Sequence, residues 1–302
     1  MNGKKNSFYQ YVIDRFNGSP TNAAIINSYS DLIYGRGLTS DNEDHVKLLN
    51  SLISNEELRK ICSDFYLFGQ ADIDVIEQKG FKKPASLSHI AKNMVIPEIE
   101  DEKGNINAYW FSKDWCKYTL AENEPKRIPA FGTKEGKHSI YCIKPYKAGK
   151  KYFSDPEYLA GLPYAEMEEE IANYCINHIQ NGLSFGYIIN IPDGINWTDE
   201  ARKRFESDLK RKLTGSSNAG KFVISFNGRD TEVNVVPLDV NSAHKQWDFL
   251  TQESRQQLLT AHRVTSPMLF GIKDNAGLGN NANELDVAEE QLYKRVIKPK
   301  QQ

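Results

Sequence analysis

The chain has 302 residues, of which 39% are hydrophobic and 26% are charged, so it can form one large domain or two ordinary ones. Its 38 lysines and arginines against 40 acidic residues give a net charge of −2, which excludes a globally basic nucleic-acid-binding protein but not a local basic patch. The four cysteines form no Cys-x-x-Cys pair and no apolar run reaches about 20 residues, so we expect no zinc ribbon, disulfide framework or membrane span. The polar start carries no secretory signal pattern, and we therefore expect a soluble, reduced, intracellular protein.

The first half of the chain predicts two helical segments followed by short strands. One helix is expected over 22–38 and a second over 42–64, the latter divided in two because Ser54 and Glu57 form a capping-box pattern. Short β-rich runs separated by glycine and proline follow, a pattern typical of small antiparallel sheets. These runs cover 72–78, 91–101, 107–115 and 138–145.

The second half predicts long polar helices around a small α/β insertion. A helix that begins after Asp155 ends at Gly182, and an amphipathic helix over 197–213 is capped by Thr198. An Asn-Gly pair at 227–228 indicates a hairpin. The expected order is a helix to 182, a strand over 185–192, the helix over 197–213, the hairpin over 221–238, a polar helix over 243–262, a Gly/Asn-rich loop over 273–281 and a last helix over 282–297.

Charge is distributed unevenly along the chain. Residues 153–182 contain six acids and no lysine or arginine, so these carboxylates have no cation within their own segment. No histidine lies three or four residues from an acid within the run 166–170, and we expect no metal site there. Residues 113–152 hold ten lysines and arginines against four acids, which could contact phosphates, although a solvated face is the simpler interpretation.

Residues 215–221 (GSSNAGK) match the first seven positions of a phosphate-binding P-loop. A P-loop needs a strand before it and a helix after it, so that backbone amides and the helix N-terminus converge on phosphate. The predicted order is the reverse, and Phe222 occupies the position of the magnesium-binding Ser or Thr. A helix-to-strand turn is therefore the favoured interpretation. No spacing of Ser, His, Asp or Cys supports catalysis, so we expect neither catalytic residues, nor a metal, nor a cofactor.

The order of these elements resembles the portal proteins of tailed bacteriophages. Five segments carry the resemblance: Asp31–Leu38 (DLIYGRGL), Asp64–Val75 (DFYLFGQADIDV), Asn181–Pro192 (NGLSFGYIINIP), Gly215–Val223 (GSSNAGKFV) and Arg263–Gly271 (RVTSPMLFG). Two of them depart from the family pattern, with Phe185 where proline is usual and Thr265-Ser266 before Pro267.

The resemblance implies an α+β fold with a mixed wing, a two-helix stem and a small α/β clip, assembling as a ring. Portals usually continue past the last helix, so the crown is expected to be absent or truncated. The implied divisions are 1–155 (wing), 156–184 (first stem helix), 185–240 (clip), 241–265 (second stem helix), 266–281 (tunnel loop) and 282–302 (C-terminal wing helix).

The resemblance also implies a non-enzymatic function. The ring, which we expect to be a dodecamer, would form the DNA channel at one capsid vertex, for genome packaging, tail attachment and DNA ejection. Implied partners are terminase, the major capsid protein, a head–tail adaptor and non-specific double-stranded DNA, in the virion and in the host cytoplasm during assembly, without a membrane. The alternatives are a monomeric nucleic-acid-binding module and a P-loop-like nucleotide-binding protein.

The candidate functional residues fall into two groups. Those expected at the DNA channel are Lys273, Asn275, Asn280, Asn281, Glu166 and Glu169. Those expected at contacts between subunits or with terminase in the clip are Trp197, Phe205, Leu209, Arg204 and Lys212.

Overall fold

The structure is a computed structural model that divides into two compact units. The larger unit comprises Met1–Glu166 and Arg255–Gln302, and the smaller comprises Met167–Ser254. The described residues are 2–78, 84–133, 137–180, 187–192, 198–213, 222–228, 234–237, 243–272 and 282–302.

The helices agree in order with the sequence pattern, and two that it does not predict are added, α1 at the start and α9 at the end. An N-terminal helix, α1, precedes the first predicted one, and the division expected near Ser54 is confirmed because Ser54 Oγ accepts a hydrogen bond from the backbone N–H of Glu57 at 3.2 Å. The described helices are α1 (Phe8–Gly18), α2 (Pro20–Tyr34), α3 (Glu43–Leu52), α4 (Asn55–Phe68), α5 (Leu162–Gln180), α6 (Asp199–Leu213), α7 (Ala243–Ala261), α8 (Ala282–Leu292) and, after a π-helical turn over Tyr293–Ile297, α9 (Lys298–Gln301). None of these helices is both long and apolar enough to cross a membrane.

Two three-stranded antiparallel sheets form the β part of the larger unit. Their strand orders are β2-β1-β6 and β3-β4-β5. The strands are β1 (Ala71–Glu77), β2 (Pro84–Ile90), β3 (Val95–Pro97), β4 (Ala108–Phe111), β5 (Lys126–Pro129) and β6 (His138–Ile143). The prediction of small antiparallel sheet is therefore confirmed, and the strands form two such sheets instead of one.

The first of these sheets packs against another element on each of its faces, because successive side chains along a strand point to opposite sides. Ala71 lies on the face that packs against Ile61 of α4. Ile140 lies on the opposite face, where it packs against Val95 and Tyr109 of the second sheet. Part of the first sheet thus lies between helix α4 and the second sheet.

A lysine–aspartate pair is buried on the face that looks toward the second sheet. Lys92 Nζ donates a hydrogen bond to Asp72 Oδ2 at 2.6 Å, and the two side chains are 1% and 0% exposed. Burial lowers the pKa of Lys92, but the charge of Asp72 and the hydrogen bond to it outweigh burial, so this pKa is raised above its ordinary value. Lys92 therefore stays protonated inside the protein.

The smaller unit contains a third sheet, which corrects the predicted hairpin over 221–238. Strand β7 (Tyr187–Pro192) lies in the middle, parallel to β8 (Phe222–Gly228) and antiparallel to β9 (Asn234–Pro237). Strands β8 and β9 are therefore not paired with each other, and residues 227–228 end a strand. Helix α6 supplies the crossover connection that the parallel pair β7–β8 requires.

Candidate assembly and DNA-channel surfaces

Three of the six acids in the segment 153–182 contact cations from outside that segment. Glu166 Oε1 lies 3.5 Å from Arg15 Nη1 of α1, and Glu166 Oε2 accepts a hydrogen bond of 3.2 Å from the Tyr11 hydroxyl. Burial raises the pKa of Tyr11, and the Glu166 charge raises it further, so the phenol stays protonated and keeps donating. Glu166 is half-exposed, and Glu169, on the next turn of α5, is half-buried.

The other two contacts lie at the start of the same segment. Asp155 Oδ2 is 2.9 Å from Lys150 Nζ, and Glu157 contacts both Lys300 and, at 3.8 Å, Arg263. Lys150 belongs to the basic stretch 113–152. The absence of cations within the segment thus does not leave these three acids unpaired, since other parts of the same chain supply the cations.

The described part of the smaller unit exposes large apolar side chains. Ile176 and Ile179 of α5 are 52% and 66% exposed, and Phe249 of α7 is 63% exposed. Helices α5 and α7 are in contact there, because the rings of Tyr174 and Trp247 stack with centroids 4.1 Å apart. The three apolar core clusters of the described chain contain no residue of 167–254. Large apolar side chains of this unit therefore face solvent, while Ile171 and Ile191 are buried.

The clip candidates lie on or beside α6, which begins as the sequence predicts. The backbone N–H of Ala201 donates to Thr198 Oγ1 at 3.3 Å, so Thr198 caps the helix. Arg204 is exposed and Phe205 is half-buried. The remaining candidates are only partly covered by the structure: the backbones of Leu209 and Lys212 lie in α6 but their side chains are outside the described residues, as is Trp197 altogether.

The tunnel-loop candidates lie in the stretch between Phe270 and α8. Residues 273–281 are outside the described residues, and the roles of these candidates stay predictions. The four are Lys273, Asn275, Asn280 and Asn281.

The P-loop-like run lies between two described elements. Residues 214–221 are themselves outside the described residues, but α6 ends at Leu213 and β8 begins at Phe222. The order helix–run–strand is therefore confirmed, and it is the reverse of the order that a phosphate-binding P-loop requires. Among the described residues, no three His, Cys, Asp or Glu side chains come together to form a metal site.

One polar cluster that sequence reasoning missed is centred on His262, directly after α7. Asn22 Oδ1 lies 2.9 Å from His262 Nε2 and can only accept, so Nε2 carries the proton and Nδ1 accepts from the Tyr66 hydroxyl at 3.0 Å. The Tyr29 hydroxyl donates to the His262 carbonyl at 2.9 Å, and the Tyr158 ring stacks on the imidazole at 4.2 Å. Burial lowers the pKa of His262 to about 3, so the ring is neutral. These residues are far apart in sequence, and no spacing signal indicates the cluster.

Comparison with known proteins gives a consistent result. No protein-family model matches the sequence. The chain is 21% identical over 227 residues to the probable portal protein of Escherichia phage P2, a match that covers 74% of this chain and 59% of that protein. It is 23% identical over 230 residues to the probable portal protein of Haemophilus phage HP1, covering 74% and 61%. The chain thus spans about three fifths of the length of these curated relatives.

Solved structures share the fold at low sequence identity. A chain of the neck of a native gene transfer agent particle, computed with C12 symmetry, matches with a TM-score of 0.62 and 13% identity over 96% of this chain and 76% of its own. The HK97-family phage portal protein from Corynebacterium diphtheriae matches with a TM-score of 0.51 and 10% identity over 93% of this chain and 83% of its own. The resemblance that the five sequence segments predict is therefore confirmed: this chain is similar to the portal proteins of tailed phages and has their mixed α+β fold.

Proposed function

We propose that this chain is the subunit of a portal ring, a non-enzymatic DNA channel at one vertex of a phage-type capsid. Double-stranded DNA would enter through the ring during packaging and leave through it during ejection. Terminase would dock on the ring first and a head–tail adaptor later, while the major capsid protein surrounds it. The chain would assemble in the host cytoplasm and remain in the virion. The similarity to portal proteins and the shared fold support this role.

The observation that carries the proposal is the exposure of three large apolar side chains in the smaller unit, Ile176 and Ile179 of α5 and Phe249 of α7, which together are called its apolar face below. Exposed clusters of large apolar side chains on a soluble protein mark interaction surfaces. Burying one such side chain contributes about 1.5–3 kcal/mol. In a ring, the same gain is repeated at every interface, which makes a second copy of this chain the natural partner. The C12 symmetry used for the gene transfer agent neck favours twelve copies.

The acid-rich helix α5 gives the proposed channel its electrostatic character. Glu170 is exposed and Glu166 is half-exposed. Repeated around a ring, the exposed Glu170 carboxylates would produce a negative wall that repels DNA phosphates and lets the duplex slide, with Arg15 partly compensating Glu166 and Glu169 half-buried beside it. Non-specific passage needs no base contacts, so a wall of net negative charge suits this function.

Ring assembly is tested by substituting the apolar face. Phe249→Ser and Ile179→Ser are each expected to weaken association about tenfold to a hundredfold per interface, because each loses about 1.5–3 kcal/mol of burial. Native mass spectrometry of the purified full chain measures the fraction in rings. Ile99→Ser is the matched control, since Ile99 is 82% exposed but belongs to the larger unit. A wild-type chain that stays monomeric at every concentration would refute the proposed function.

The channel role is tested on rings that are already assembled. We expect Lys273→Glu to leave the ring fraction unchanged and to reduce DNA uptake in a packaging reaction with terminase and empty capsids, because Lys273 is the proposed phosphate contact of the tunnel loop. Lys103→Glu, a reversal at an exposed lysine of the larger unit, is the control. Equal uptake by wild-type and Lys273→Glu rings would remove Lys273 from the channel.

A further inference from the structure

A groove between α2 and α8 of the larger unit has an apolar floor. Its volume is about 270 Å³, and its floor is formed by Leu32, Leu292, Tyr293 and Ile297. Leu32 and Tyr293 are 40% and 48% exposed, so a substantial part of this floor faces solvent. The groove is smaller than typical small-molecule pockets, which hold about 300–1,000 Å³, but it can accept one or two large side chains of another protein surface.

The rim of the α8 groove is acidic. Asp286, Glu289 and Glu290 line it, and only Glu290 has a cation, Lys294, one helical turn away at 2.6 Å. Within the described chain, Asp286 and Glu289 have no ion-pair partner. A groove with an apolar floor and two unpaired carboxylates at its rim favours binding of a protein segment that carries both apolar and basic side chains.

The loop 113–120 of the same chain has this composition. Tyr118 and Leu120 are 37% and 47% exposed, and Lys113 and Lys117 are exposed without an ion-pair partner among the described residues. The loop therefore exposes two apolar and two basic side chains within eight residues.

The loop is held in shape by its neighbours. Trp115 is buried and its Nε1 donates to the Met94 carbonyl at 3.0 Å, while Asp114 accepts from the backbone N–H of Cys116 at 2.8 Å. Asn123 Nδ2 closes the turn on the Lys117 carbonyl at 3.4 Å. A loop fixed in this way loses little conformational entropy when it binds.

We propose that the α8 groove of one subunit binds the loop 113–120 of the next subunit, with Tyr118 and Leu120 on the apolar floor and Lys113 and Lys117 beside Asp286 and Glu289. This inference rests on the proposed ring. A groove and a loop on different parts of one chain form a head-to-tail interface, and a head-to-tail interface that closes produces a ring. The contact lies entirely between larger units, so it is separate from the apolar face of the smaller unit.

Charge reversal tests the contact in the full chain. The groove-reversed variant carries Asp286→Lys and Glu289→Lys, and the loop-reversed variant carries Lys113→Glu and Lys117→Glu. Each alone is expected to lower the ring association constant at least about tenfold, because like charges then face each other at every interface. An equimolar mixture of the two is expected to recover rings in which the variants alternate, since each reversed surface meets its complement. Native mass spectrometry resolves both the ring fraction and the alternation.

The controls separate this contact from folding and from the ring itself. Asp41→Lys and Lys103→Glu are single charge reversals at exposed positions outside both surfaces and should leave rings intact. Thermal unfolding of each variant shows whether the monomer is folded. Rings at the wild-type level in either reversed variant, or loss of rings that the mixture does not restore, overturns the proposed contact. A wild-type chain that forms no ring instead overturns the proposed function.

Discussion

Replacing Lys92 with methionine is expected to lower the free energy of unfolding by about 3–5 kcal/mol, because it leaves the buried Asp72 carboxylate without its cation. Desolvating a lone carboxylate is costly, and the surroundings of Asp72 supply little water since its side chain is 0% exposed. Urea unfolding of the purified chain measures the change as a lower midpoint.

A double variant separates the cost of breaking the pair from the value of the pair itself. Asp72→Leu combined with Lys92→Met removes both charges, and such apolar replacement of a buried pair is often neutral or stabilising. We therefore expect the double variant to recover most of the stability that Lys92→Met loses. Failure of this recovery would show that packing around Lys92, and not the unpaired charge, causes the loss.

Lys60 provides the surface counterpart of this pair. Lys60 Nζ lies 2.9 Å from Glu56 and 2.8 Å from Glu57 on exposed α4 turns. Because solvent screens this contact, Lys60→Met should leave the unfolding midpoint nearly unchanged. Equal losses in Lys60→Met and Lys92→Met would contradict the explanation by burial.

Local sequence signals predicted those features that depend only on neighbouring residues in the chain, such as helix caps. The Ser54 cap and the Thr198 cap are each decided within one helical turn. The prediction of a hairpin at residues 227–228 is wrong. The Asn-Gly pair indicates a local turn, but which strands pair depends on residues elsewhere in the chain. Strand β7, from an earlier part of the chain, took the central position between β8 and β9.

Contacts between residues that are distant in sequence were likewise not predictable. Sequence alone showed that α5 is acidic, but it could not show that Arg15 would reach Glu166 from the far end of the chain. The sequence gives no sign that Asp72 and Lys92, which are 20 residues apart, form a hydrogen bond in the protein interior. The glycines and asparagines of the tunnel loop indicate that its backbone can adopt many conformations. They do not indicate where the loop would lie in a ring.

The His262 cluster makes the stability of the larger unit depend on pH in a range where most other groups do not titrate. The pKa of His262 is about 3 in the folded chain because of burial, against about 6.5 when the chain is unfolded. Between these values the unfolded state binds the proton and the folded state does not. Stability from the neutral ring is therefore fully present above pH 6.5 and is lost as the pH falls toward 3.

We expect the free energy of unfolding to fall by about 2 kcal/mol between pH 7 and pH 5 through His262 alone, at about 1.4 kcal/mol per pH unit below 6.5. Glu57 and Glu98, whose folded pKa values are lowered by hydrogen bonds from Lys60 and Arg127, lose their contributions only as the pH falls below about 4.5. The window from pH 5 to pH 7 is therefore free of these carboxylates and isolates histidine.

Urea unfolding of wild type and His262→Asn at pH 5, 6 and 7 measures this dependence. His262→Asn should be less stable than wild type at pH 7, because it disturbs the hydrogen bonds to Asn22 and Tyr66, and its stability should change little over the window. His45→Gln, at an exposed histidine of α3, is the control and should keep the wild-type slope. An unchanged slope in His262→Asn would mean that the acid sensitivity arises elsewhere in the chain. A flat wild-type profile would mean that His262 accepts a proton in the folded state, which the Nε2–H and Tyr66 hydrogen bonds of the buried ring do not allow without rearrangement.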